Sequence, residues 1–209
     1  MHPLRLWATP RRQAQGFTVL ELLMALSLLA VMLLVAFTVF SGPFRAWLAG
    51  RKLADEQQNA RLVLEWTTRR LRMAGWGVPV GTAEYFTQAA ADSVTFLANI
   101  DGMGGAEPHR FCIDADGGVV REQIGATVTA SCATGAPLTS RGVRPLKVVL
   151  LQFAYFNGRQ EPLSPLPLTQ DQRPGVAWVR IVLGLDSDGS GAYGAASDLT
   201  FTTDVRVRN

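Results

Sequence analysis

The sequence predicts an α+β protein in which one long N-terminal helix packs on an antiparallel β-sheet head. An apolar run near the N-terminus continues into a one-sided helical pattern up to about residue 74. Beyond it, short runs of alternating apolar and polar residues, separated by turns that contain glycine or proline, continue to residue 209. A helical block followed by a block of strands is typical of the α+β class.

The apolar run predicts a membrane-spanning segment. Residues 22–40 contain only two polar side chains, Ser27 and Thr38. At the helical rise per residue this run is about 28 Å long, close to the ~30 Å hydrocarbon core of a bilayer. It is longer than the apolar region of a secretory signal peptide, and no small-residue cleavage site follows it. We therefore expect residues 17–42 to form a hydrophobic helix.

The helical pattern continues as an amphipathic second half, residues 43–74. Pro43 removes one backbone donor and clashes with the preceding turn, so we expect a kink or a local break there. Glycines that follow residue 74 indicate where the helix ends. One helix face is apolar and should pack on the head, at Leu53, Ala60, Leu64 and Leu71.

The remainder, residues 75–209, has the pattern of a β-rich head. A turn at residues 115–118 separates two strand-like runs and indicates a hairpin. Residues 161–174 and 186–198 have the composition of loops. The strand-like runs are residues 92–99, 110–113, 119–124, 146–156, 176–185 and 199–209.

The charge distribution argues against a general nucleic-acid binder. The formal net charge of the whole chain is +3. Residues 1–16 carry three arginines and no acid, so their removal would bring the formal charge to zero. A domain that binds nucleic acid through its overall charge is usually strongly basic.

The start of the apolar run carries a motif. Gly16 is followed by Phe17, and Glu21 lies five positions after the glycine. This arrangement, behind a basic leader, resembles the type III signal sequence of type IV pilins and type II secretion pseudopilins. The resemblance implies that a prepilin peptidase cuts after Gly16, that residues 1–16 are a leader peptide on the cytoplasmic side, and that Phe17 becomes the N-methylated first residue.

An acid inside an apolar segment is costly, so Glu21 calls for an explanation. After cleavage it would lie one helical turn from a free α-amine, near a helix N-terminus that favours a carboxylate. In an assembly it could pair with the amine of a neighbouring subunit. The alternative is a signal-anchored membrane protein whose glutamate reaches the lipid headgroups.

Two further stretches, residues 57–77 and residues 177–209, resemble PilW-type minor pilins. This resemblance implies a single-pass inner-membrane protein with a periplasmic head that later enters a pilus. The implied role is pilus assembly and priming, in support of adhesion, twitching motility or DNA uptake. The implied partners are other major and minor pilins, the prepilin peptidase, the inner-membrane assembly platform and, before assembly, the lipid bilayer. Two alternatives are a J-type minor pseudopilin of type II secretion and a tip module that binds a surface or DNA.

The remaining candidates lie in the head. Cys112 and Cys132, twenty residues apart, fit a disulfide if the head is exported, and two free thiols if it is not. Several aspartates could bind calcium, but they lack the glutamate of a complete loop motif, so we expect solvated turn residues and no metal. These weak candidates are Asp114, Asp116, Asp186, Asp188 and Asp198.

Catalysis and nucleic-acid binding have little support in the sequence. There is no nucleophile, phosphate-binding or zinc motif, so we expect neither enzymatic activity nor a cofactor. Three arginines at the end of the helix could touch DNA phosphates, but they also suit the last turn of any helix. They are Arg69, Arg70 and Arg72. Trp66 and Trp76 are expected to pack the helix on the sheet.

Overall fold

A computed structural model describes residues 16–79, 84–114, 118–138, 147–186, 194 and 198–207. The predicted leader up to residue 15, the hairpin turn at residues 115–117 with Asp116, and Asp188 lie outside these residues. The chain divides into two units, Met1–Arg51 and Lys52–Asn209.

A single helix, α1, runs from Val19 to Leu71. It begins two residues later and ends three residues sooner than the sequence predicts. Thr18 precedes it, and the Thr18 hydroxyl accepts a hydrogen bond from the backbone N–H of Glu21 at 3.3 Å, as an N-cap residue does. The helix continues through Pro43, so the expected local break is absent.

The end of α1 depends on a glycine. Gly75 has φ +83°, a left-handed conformation that residues with a Cβ avoid. This turns the chain so that the Gly75 N–H donates to the Leu97 carbonyl at 2.8 Å. The helix end is thereby joined directly to the sheet.

The head contains two antiparallel sheets, where the sequence predicts one. The first has the order β1-β2-β3-β4-β5, and the second has the order β6-β7-β8. The strands of the first sheet are β1 Phe86–Ala89, β2 Val94–Ala98, β3 Glu107–Asp114, β4 Val119–Ile124 and β5 Ala136–Pro137. Those of the second are β6 Val148–Phe156, β7 Trp178–Leu185 and β8 Leu199–Arg206.

The core lies between α1 and the sheets. The buried helix residues recur every three or four positions, which places them on one face: Ala60, Val63, Leu64, Thr67 and Leu71. Leu53, which we expected on this face, is 41% exposed. The sheets contribute the largest buried side chains, among them Phe86, Phe96, Phe111, Phe153 and Tyr155.

Hydrogen bonds between loops and strands join the two sheets. The Phe153 N–H donates to the Ala91 carbonyl at 2.7 Å. The buried Tyr155 hydroxyl donates to the Ala90 carbonyl at 3.0 Å. Because the acceptors lie just after β1 and the donors lie in β6, the edge of the first sheet is fixed against the second.

Candidate functional site

The processing motif lies at the start of α1. Gly16 and Phe17 precede the helix, and the Phe17 side chain is 84% exposed. Glu21 lies in the first helical turn, where the partial positive charge of the helix N-terminus favours a carboxylate. This arrangement fits the predicted roles of the three residues, and those roles stay predictions. Thr18, which caps the turn that carries Glu21, was missed by the sequence reasoning although Thr-x-x-Glu is a helix-start signal.

The first unit exposes a continuous apolar surface. Large apolar side chains between Val19 and Phe40 are each more than half exposed. A soluble protein rarely leaves so much apolar surface in contact with water, so this helix requires lipid or other helices around it. By length and composition α1 could cross a membrane. Together with the motif before it, this helix indicates membrane anchoring.

A buried carboxylate joins α1 to the first sheet in the second unit. Glu122 on β4 is 3% exposed and accepts a hydrogen bond from the indole N–H of Trp66 at 2.9 Å. The Arg70 Nε lies 3.2 Å from the Glu122 Oε1, and its guanidinium lies over the Trp66 ring, 4.8 Å from the centroid. His109 on β3 completes the cluster, with its Nδ1 3.6 Å from the same Oε1.

These contacts change the acidity of Glu122. Burial by itself raises the pKa of this carboxyl. The interactions with His109 and Trp66, with the charge of Arg70, outweigh burial and lower the pKa below its ordinary value. Glu122 is therefore ionised at neutral pH, and its charge stabilises the attachment of the helix to the sheet.

The predicted disulfide is present. The sulfur atoms of Cys112 and Cys132 are 2.06 Å apart. The bond fastens residues 125–135, here called the strap, to the outer face of the first sheet. Beneath the strap the fully buried Gln123 donates through Nε2 to the carbonyls of Ser131 at 2.8 Å and Thr134 at 3.1 Å. The disulfide therefore closes a segment that covers polar groups of the sheet.

The aspartates that were weighed as calcium ligands have other contacts. Asp186 is not a solvated turn residue: its side chain is fully buried and lies 2.9 Å from the ammonium of Lys147. Its burial follows from its position at the end of β7, where its backbone N–H donates to the Lys147 carbonyl. Asp114 pairs with Arg121 at 3.0 Å, and Asp198 accepts from the Gly194 N–H at 2.8 Å.

Within the part of the chain that the structure describes, no group of three or more His, Cys, Asp and Glu side chains could hold a metal ion. The predicted lack of a metal site stays a prediction, because Asp188 lies outside the described residues.

The arginines at the end of α1 are engaged with acids. Arg69 pairs with Glu65 at 3.1 Å, and Arg70 pairs with Glu122. Arg72 is exposed. Of the two tryptophans, Trp66 contacts the sheet as expected, and Trp76 is 51% exposed. The ion pairs of Arg69 and Arg70 with acids give these two arginines a structural role that does not require DNA.

One family model matches the N-terminal part of the chain. The prokaryotic N-terminal methylation motif matches residues 11–37, which include Gly16, Phe17 and Glu21. Neither the curated proteins nor the solved structures gave a match. The motif indicates other pilins and a prepilin peptidase as partners in general terms. The methylation motif supports a relation to the type IV pilin and pseudopilin family, and one long helix followed by antiparallel sheets is consistent with a type IV pilin-like α+β fold.

Proposed function

We propose that the chain is a PilW-like minor type IV pilin that acts in pilus assembly and priming and has no enzymatic role. The observation that carries the proposal is the Gly16–Phe17 junction directly before α1, with Glu21 in the first turn of an exposed apolar helix. The apolar side chains of such a helix can be covered by lipid or by the apolar faces of similar helices. It can therefore leave the membrane for a fibre without unfolding.

In this proposal the precursor lies in the inner membrane with the leader in the cytoplasm and the head in the periplasm. The Cys112–Cys132 bond supports an exported head, since disulfides persist in oxidising compartments. Cleavage after Gly16 frees the Phe17 amine, and the subunit joins other major and minor pilins at the inner-membrane assembly platform. The pilus then supports adhesion, twitching motility or DNA uptake.

The N-terminus of the native protein tests this proposal. Mass spectrometry of the membrane-extracted chain should detect a first peptide that begins at an N-methylated Phe17. The Gly16→Val chain should stay at precursor size, and Gly50→Val, the same change at an exposed helix glycine, should be processed normally. An intact leader on the wild-type chain would refute the proposal.

A J-type minor pseudopilin would share the same processing. Presence of the chain in sheared pili would favour the pilin. A loss of type II secretion when the chain is removed would favour the pseudopilin. The neighbouring genes would separate the two in the same way.

A second candidate function is ligand binding by the head. The observation that favours it is an arginine and aromatic patch on the outer face of the second sheet. The Arg180 guanidinium lies over the Phe156 ring at 5.2 Å and pairs with Asp204 at 2.7 Å. The Arg206 guanidinium lies over the Trp178 ring at 5.8 Å and supplies the positive charge of the patch. If the patch binds DNA, Arg206→Gln should weaken binding of a labelled oligonucleotide to the full chain, and Arg61→Gln, on the exposed side of α1, should not. Equal effects would refute a specific site.

A further inference from the structure

The first unit carries a row of aromatic side chains where its apolar run ends. Helix residues three or four positions apart share a face, and four aromatic residues follow this spacing. Each of their side chains is more than half exposed. They are Phe37, Phe40, Phe44 and Trp47, here called the aromatic stripe. The rings of Phe44 and Trp47 stack with 6.1 Å between their centroids, so they form one continuous apolar surface.

Two arginines border the aromatic stripe. The Arg51 guanidinium lies over the Trp47 ring, 5.6 Å from the centroid, because the side chain turns back towards the apolar run. Arg45 lines an open groove together with the three phenylalanines of the stripe. Among the described residues, neither arginine forms an ion pair with a carboxylate. Apolar rings and two positive charges therefore meet on one stretch of the helix.

The end of the aromatic stripe lies at the depth of lipid headgroups when the apolar run spans a bilayer. Residues 22–40 are about 28 Å long, nearly the whole hydrocarbon core. Phe44 and Trp47 follow about 6 and 10 Å beyond Phe40. They thus lie within and at the outer edge of a headgroup layer that is roughly 5–8 Å thick on each side. Tryptophan is enriched at this level, and arginines beyond it reach back towards the headgroups.

A neighbouring helix fits the aromatic stripe less well than lipid does. Close contacts between helices in membranes favour small residues, which let two backbones approach each other. The stripe presents four bulky rings instead. Small residues lie on the opposite face of the helix, at Gly42 and Ala46. A flexible acyl chain can follow the uneven surface between the rings, so lipid is the better occupant of this face.

We propose that the aromatic stripe binds a phospholipid of the surrounding bilayer that carries an anionic headgroup. The acyl chain lies along the phenylalanines, the headgroup lies against Trp47, and the phosphate accepts hydrogen bonds from Arg45 and Arg51. A guanidinium suits this role because it donates two parallel N–H groups to phosphate. A zwitterionic headgroup offers the same phosphate, but its own cation repels the arginines. The inference requires only a membrane-anchored helix, so it holds equally for a pilin and for a pseudopilin.

Fluorescence quenching by brominated lipids tests the contact. The full chain is reconstituted in vesicles of phosphatidylcholine and phosphatidylglycerol in equal parts, with bromine on the upper acyl chain of one lipid or the other. The sequence contains five tryptophans, so the Trp47 signal is the difference between the wild-type chain and Trp47→Phe. We expect brominated phosphatidylglycerol to be preferred by about fivefold, the order that one basic residue contributes at an anionic surface. Equal quenching by the two lipids would overturn the proposal.

Two double variants identify the source of the preference. In Arg45→Gln/Arg51→Gln the two lipids should quench Trp47 equally, because both phosphate donors are lost. Arg61→Gln/Arg72→Gln removes the same charge from exposed positions in the second unit and should keep the preference. An unchanged preference in the first variant would overturn the proposal. A Trp47 signal that neither lipid quenches would also overturn it, since a protein helix would then cover the stripe.

Discussion

The Trp66 indole donates its N–H to the Glu122 carboxylate across 2.9 Å, and so joins the long helix to β4 of the first sheet. The two residues are 56 positions apart in the chain. Arg70, one helical turn beyond Trp66, lies 3.2 Å from the same carboxylate. The amphipathic part of α1 is thus attached by a buried polar cluster as well as by its apolar face.

The first prediction is that Glu122→Gln destabilises the head. Glutamine can still accept from Trp66, but Arg70 loses its partner while largely buried. Removal of one member of a buried ion pair typically costs about 3–5 kcal/mol, and retention of the Trp66 bond should place this variant at the lower end. Chemical unfolding followed by circular dichroism would measure the change.

The matched control is Glu65→Gln, which breaks the exposed Glu65–Arg69 pair and should cost less than about 0.5 kcal/mol. Equal losses in both variants would contradict the importance of the cluster.

The second prediction concerns acid. The pKa of Glu122 is lowered in the folded state, so its contribution is complete above the ordinary value of 4.5 and is lost as the pH falls through the lowered folded value. Stability should therefore decline below about pH 4.5, and this decline should be smaller in Glu122→Gln. The measurement is the unfolding midpoint from pH 6 to pH 2. If both chains lose stability equally, other carboxylates are responsible.

The sequence predicts some of these features and misses others for physical reasons. The long runs at β6, β7 and β8 are recognisable because each has eight or nine residues, the first two rich in β-formers and the third alternating. β1 and β5 have four and two residues, too few for a period to be visible. The division into two sheets depends on which strands pair, and that is decided by long-range contacts.

The candidate site divides in the same way. Gly16, Phe17 and Glu21 form a local motif, so the sequence contains all the information needed to find them. Glu122 is one of two neighbouring charged residues in β4, and charged residues in a strand usually face solvent. Its burial depends on side chains from α1 that are distant in the chain. The sequence around Glu122 contains no pattern that indicates these partners.

The third prediction is that the disulfide stabilises the head through the strap. A bond that closes a loop of this size should contribute about 3 kcal/mol by the chain-entropy estimate. The double variant Cys112→Ala/Cys132→Ala should lose about that much, and its strap amides should exchange faster with deuterium. In the wild-type chain, the non-reduced mass should be two hydrogens below the reduced mass. Two alkylatable thiols in native protein would contradict the prediction.

The fourth prediction is that calcium leaves the stability unchanged. The Asp186 carboxylate is already occupied by the Lys147 ammonium at 2.9 Å. A cation that bound only the folded chain would raise its melting temperature. We therefore expect the same melting temperature in chelator and in millimolar calcium. A calcium-dependent rise of several degrees in the melting temperature would contradict this prediction and indicate a calcium site among Asp186, Asp188 and Asp198.

The last prediction concerns Glu21, which we expect to serve assembly and not membrane insertion. Glu21→Ala removes a carboxylate from an apolar helix, so insertion should be unchanged or slightly easier. Cleavage should also continue, because Gly16 is unaltered. Incorporation into the fibre should fall, since the free amine of Phe17 loses the carboxylate that would neutralise it. An unpaired charge buried among helices costs several kcal/mol, enough to exclude a subunit.

The test compares Glu21→Ala with Gly16→Val and with Glu21→Asp, which keeps the charge on a shorter side chain. Precursor size in membranes, methylation of Phe17 and abundance in sheared fibres are the three measurements. Gly16→Val should remain at precursor size. Glu21→Ala should be processed but depleted from fibres, and Glu21→Asp should recover part of the loss because a carboxylate is again within reach of the amine. Glu21→Ala chains that enter fibres at the wild-type level, with a methylated N-terminus, would show that the amine needs no carboxylate partner.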